Sequence, residues 1–141
     1  MANETEAHHS LISTIMIEKL EIPMHGFTIE RNTMATNNHV YTIHLSNPLE
    51  SDKVSQDAKT KPFIATIPAG TSRLVMRFAK PDNNVEDSIR IRNEVAALVL
   101  AREALTSINP FLIPRVFGWD DAIGPGYILE EFKHGEVSVV Q

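Results

Sequence analysis

The sequence predicts an α+β fold: a five-stranded, mainly antiparallel sheet with one long helix and a short helix before it. Three observations carry this. Short apolar runs bounded by turn residues recur along the chain, as in GFTIE, HVYTIHL, RLVMRFA, RVFGW and YILEE. One longer stretch, DNNVEDSIRIRNEVAALVLAREALTS, instead spaces its apolar residues as a helix does. That stretch stands between the third and fourth strand-like runs, and an alternating parallel sheet would need more such crossovers.

The elements follow in order. Residues 1–10 read as a frayed polar tail, and Leu11–Leu20 as a short amphipathic helix ended before Pro23. Residues 1–26 thus form a tail and helix ahead of a domain spanning 27–141. Phe27–Arg31 and His39–Leu45 are the first two strands, joined by the polar segment Asn32–Asn38. Residues 47–62 are polar and without period, which predicts a mobile surface insertion. Phe63–Ile67 reads as a short added strand before the turn signal PAGT. Arg73–Ala79 is the third strand, stopped by Pro81. In the long helix Asn83 or Asn84 can cap, Glu86 and Asp87 suit the first turn, and Ile91, Val95, Leu98, Val99, Arg102 and Leu105 line one side. Asp120–Gly126 is the turn between the last two strands.

Composition narrows the function. The 141 residues are about one domain's worth. A net charge of −5 and a pI of about 5.6 argue against nucleic-acid or anionic-membrane partners, which call for a basic footprint. The acidic start, MANETEAHHS, lacks the basic region of a signal peptide, and no span long enough for a membrane is readable. The absence of cysteine removes disulfides and thiolate chemistry, and a cytoplasmic setting fits. The six histidines show no ligand spacing: His39 and His44 would face opposite sides of a strand. No protein-held metal is expected. Trp119 reads as packing at a strand end, and Asp120 and Asp121 as turn residues.

One residue breaks the pattern. Along the third strand Leu74, Met76 and Phe78 point to one face, and Val75, Arg77 and Ala79 to the other. Arg77 therefore puts a permanent cation in a strand that otherwise leaves water, and it needs an anion. Two are open: the phosphate of a ligand, or a carboxylate of the long helix, where Glu94 lies beside the apolar stripe.

The segments IPAGTSRLVMRFAKP, RNEVAALVLAREAL, PRVFGW and YILEEFKHGE, in this order and spacing, resemble the aminoglycoside phosphotransferase family of the kinase-like superfamily, in its fungal type. The resemblance covers most of residues 27–141 and implies a kinase-like N-lobe. It implies ATP as the cofactor. Val75 would lie against the adenine, Arg77 would replace the phosphate-contacting lysine, and Glu94 would be its ion-pair partner. Glu130 would stand near the gatekeeper position. Glu131 and Lys133 would offer backbone groups to the adenine edge, and Gly135 would begin the passage to a C-lobe. Asn32–Asn38 would cover the phosphates, although NTMATNN contains no glycine.

The sequence ends at Gln141, just past this hinge. The family's catalytic aspartate and magnesium-holding aspartate lie in the C-lobe, beyond the matching segments. The expectation is a lobe that binds ATP weakly, takes Mg²⁺ only when a C-lobe is supplied, and does not transfer phosphate alone. An apolar underside would then await a C-lobe, a second copy or a protein partner. The alternatives are a non-catalytic interaction module docking through that underside, and a domain whose Arg77–Glu94 pair is only structural.

Overall fold

A computed structural model describes residues 4–32, 38–79, 87–105, 113–121 and 126–133. Five strands form one sheet: β1 (Phe27–Asn32), β2 (Asn38–Leu45), β3 (Arg73–Ala79), β4 (Val116–Asp120) and β5 (Tyr127–Glu131). Their order is β1-β2-β3-β5-β4, and every neighbouring pair is antiparallel. Two α-helices accompany it, α1 (Glu4–Leu20) and α2 (Asp87–Leu105). The α+β class and the antiparallel sheet are as the sequence predicts.

The strand period divides the sheet into two faces. On the back, Leu74, Met76 and Phe78 join Tyr41, Ile43, Tyr127 and Leu129 in the main core. Helix α1 closes that core with Ile12, Ile15, Met16 and Leu20, spaced along one helix side and nearly fully buried. Each such side chain contributes about 1.5–3 kcal/mol of burial. On the front, Ile91 and Val95 of α2 pack with Val116, Trp119 and Ile128 in a second, smaller core. Within β4 the register shifts between Val116 and Gly118, so Phe117 reaches the back core while Val116 and Trp119 stay in front. Trp119 has a packing role, as expected, and its indole N–H donates to the Pro62 carbonyl at 2.9 Å.

Three expectations are corrected. Residues 4–10 are not a frayed tail, because α1 already begins at Glu4. His8 lies flat on Phe78, with ring centroids 4.5 Å apart, and shares a 2.8 Å hydrogen bond with the Tyr41 hydroxyl. An imidazole read as a polar tail residue is here a ring in an aromatic stack with His39 beside it.

The segment 47–62 is not a loose insertion either. Ser55 caps a short 3₁₀ turn, Gln56–Lys59, by accepting the Asp57 N–H. The Asp57 side chain is 1% exposed and lies 3.2 Å from Lys19 of α1. It also accepts the Tyr127 hydroxyl of β5. Burial, and then the Asp57 bond, push the Tyr127 phenol far above its ordinary value, so it remains the proton donor. Most of the segment is exposed, and Ser55 and Asp57 are its buried polar residues, each with a hydrogen-bond partner. The Phe63–Ile67 strand is reduced to one bridge, Ile67 with Lys53.

Candidate functional site

The front of the sheet is unevenly covered. Helix α2 packs against β3, β5 and β4. Across the register from Arg77 and Val75 lie Val40 and Thr42 of β2, and beyond them Asn32 and Glu30 of β1. Val40, Thr42 and Asn32 are half-buried and Glu30 is exposed. Arg77 thus stands at the boundary between the helix-covered and open parts of one face.

Its surroundings hold two carboxylates. Arg77 Nε lies 3.1 Å from Oε1 of Glu130 on the adjacent strand β5, and an Nη2 hydrogen is donated to Glu130 Oε2 at 3.3 Å. Glu94 of α2 is further away, with 3.7 Å between Arg77 Nη1 and Oε2. Side-chain exposure falls from 32% for Glu94 to 21% for Arg77 and 6% for Glu130. The helix partner is where the sequence places it, but the nearer and more buried anion is the strand carboxylate. Antiparallel pairing of β3 with β5 brings it there, through a diagonal of the register in which Val75 faces Glu130 and Arg77 faces Ile128.

Of the five expected site residues, the structure gathers Val75, Arg77 and Glu94 on the front. Val75 is buried beside Glu130. The side chains of Glu131 and Lys133 belong to a different group. Glu131 accepts from the Arg115 guanidinium at 2.9 and 3.3 Å and from its backbone N–H at 3.1 Å. Lys133 Nζ is 3.5 Å from Glu131. The Glu131 amide is also taken, donating to the Arg115 carbonyl at 2.9 Å. The loop between β1 and β2 and Gly135 lie outside the described residues, as do the helix caps Asn83 and Asn84.

An open cleft of about 370 Å³ adjoins this second group, lined in part by Gly70, Arg73, Arg115, Phe117, Glu131 and Phe132. It does not include Val75, Arg77 or Glu94. Arg73 lies over the Phe132 ring at 4.7 Å and Arg115 over Phe117 at 5.5 Å, so both cations already stack on aromatic faces.

Burial alone would raise the Glu131 carboxyl, but its hydrogen bonds and charge contacts with Arg115, aided by Lys133, outweigh this and hold it below the usual carboxylate range. The stabilisation is complete above the unfolded value and is lost as pH falls through the lower folded one. Wild-type protein should therefore lose stability more steeply below about pH 4 than Glu131→Gln does. Urea midpoints at acid and neutral pH check this, and parallel curves would exclude the carboxylate as the cause.

Among the described residues no group of three or more His, Asp or Glu could hold a metal ion. No helix there is long and apolar enough to cross a membrane. Asp120 is buried at the end of β4, 4.0 Å from Lys61, and Asp121 pairs with Arg92, so the two aspartates work separately. On α2, Ile89 and Leu100 are exposed about three turns apart. Comparison of the chain with protein-family models, with curated proteins and with solved structures finds no match, so its function is argued from the Arg77 site and from the segments that carry the resemblance.

Proposed function

We propose that this domain is the nucleotide-binding lobe of a kinase-like small-molecule phosphotransferase, with ATP as its ligand. The observation that carries the reading is Arg77. It is a cation on the central strand, facing an incompletely covered sheet face and contacting a carboxylate of the long helix that follows it. Phosphoryl transfer relies on positioning and charge stabilisation, and a strand cation paired with a helix glutamate is one of its recurring parts. Guanidinium in place of ammonium keeps the charge but offers a planar fork to phosphate oxygens.

In this arrangement Val75 packs on the adenine and Arg77 meets the phosphates, steadied by Glu94. The adenine edge is read by backbone groups of Glu131 and Lys133. The Glu131 amide is already engaged, which leaves its carbonyl for that task. Mg²⁺ would arrive with the nucleotide and be held by aspartates of a C-lobe. The general base would come from there too, so the lobe binds and orients ATP and does not itself move the proton.

The reading is tested by thermal unfolding with ATP and Mg²⁺. Ligand that binds only the folded state raises Tm by about 2–5 °C when it is roughly tenfold above its Kd. A Tm that stays flat to millimolar ATP, with tripolyphosphate equally inert, would remove the nucleotide site.

A further inference from the structure

The charge around Arg77 does not suit a resting phosphate clamp. Among the described residues, one guanidinium faces two carboxylates, Glu130 and Glu94. The closer carboxylate, Glu130, is nearly water-free, accepts a hydrogen bond from Nη2 and stands at ion-pair distance, 3.1 Å, from Nε. A carboxylate in that position presents to the fork the same pair of oxygens that a phosphate would. The two anions are rivals for one donor set, and they repel each other across a short distance in a poorly hydrated site.

We infer that Glu130 is a built-in competitor for Arg77, which sets how weakly the lobe binds phosphate. Glu94 is the lesser rival, being longer-ranged and better solvated, so screening blunts it. This rests on the Arg77 site proposed above and adds its regulation: polyphosphate gains Arg77 only by loosening the Glu130 contact. A divalent cation bound to the polyphosphate assists by screening its charge from the two carboxylates.

The ranking of the two glutamates is the testable content. Glu130→Gln removes the charge but keeps an oxygen that can accept from Arg77. It should tighten binding of tripolyphosphate, and of ATP with Mg²⁺, by about tenfold. Glu94→Gln should change either by only about twofold. Glu130→Leu serves as a second variant, with urea unfolding confirming that each protein is folded.

Calorimetry with the two probes separates the outcomes. If Glu130→Gln tightens both probes and ATP outbinds tripolyphosphate, competition and the nucleotide reading both stand. If it tightens both but adenine adds nothing, competition stands and the nucleotide reading falls. If wild type binds ATP and neither Glu130 variant binds more tightly, or Glu94→Gln gives the larger gain, the competitor role is overturned. If no variant binds either probe, both are overturned.

Discussion

Asp57→Ala should lower the unfolding free energy by about 3–5 kcal/mol, a large share of the roughly 5–15 kcal/mol typical of a domain. The carboxylate is buried, accepts the Tyr127 hydroxyl, and stands 3.2 Å from Lys19. Its removal leaves a buried phenol without an acceptor and a partly buried ammonium without its counter-charge. It also frees the 3₁₀ turn Gln56–Lys59 from the sheet. Tyr127→Phe, which leaves the charge and Lys19 in place, should cost less, about 1.5–3 kcal/mol. Urea denaturation of both variants measures this. If Asp57→Ala cost under 1 kcal/mol, the segment 47–62 would be the loose insertion that its sequence suggests.

Arg77→Met is the second large effect. It leaves Glu130 buried without its cation, which costs about 3–5 kcal/mol. Adding Glu130→Leu to the same chain should recover most of that loss, because an apolar pair of similar volume can replace a buried ion pair at little cost. The double variant separates structure from ligand use. It should be folded and yet bind no tripolyphosphate. A folded double variant with wild-type affinity would make Arg77 a structural residue alone. The single variant could not decide this, since a destabilised protein loses binding for either reason.

Much of the architecture was legible because one signal dominates each element. The strand β3 falls on Arg73–Ala79 as read, and α2 on the stretch with helical spacing. The alternation in β3 alone puts Arg77 and Val75 on the face opposite Leu74, Met76 and Phe78. Glu94 was legible as a helix residue beside the apolar stripe. Glu130 as the nearer partner was not, since it depends on which strand lies next to β3, and short-range pattern does not encode strand order. Asp57 and His8 were missed for a related reason. Each sits in a polar sequence context, and its burial comes from residues far along the chain: Tyr127 for the one, Tyr41 and Phe78 for the other. Polarity of a stretch predicts exposure only when no distant partner satisfies it.

The Asp57 contacts also constrain how the domain assembles. One carboxylate near the middle of the chain joins a helix formed early in synthesis to the fifth strand, across a separation of 70 residues from Asp57 to Tyr127. The hairpin of β1 and β2 and its junction with β3 can close first, from sequence already exposed. The back core cannot, since Tyr127 and Leu129 belong to it. Until β5 has left the ribosome, α1 covers a sheet that lacks its β5 and β4 strands, and Asp57 lacks the Tyr127 hydroxyl. Nascent chains halted before Tyr127 therefore expose the apolar side of α1, the state in which a chaperone or a protease would meet this protein.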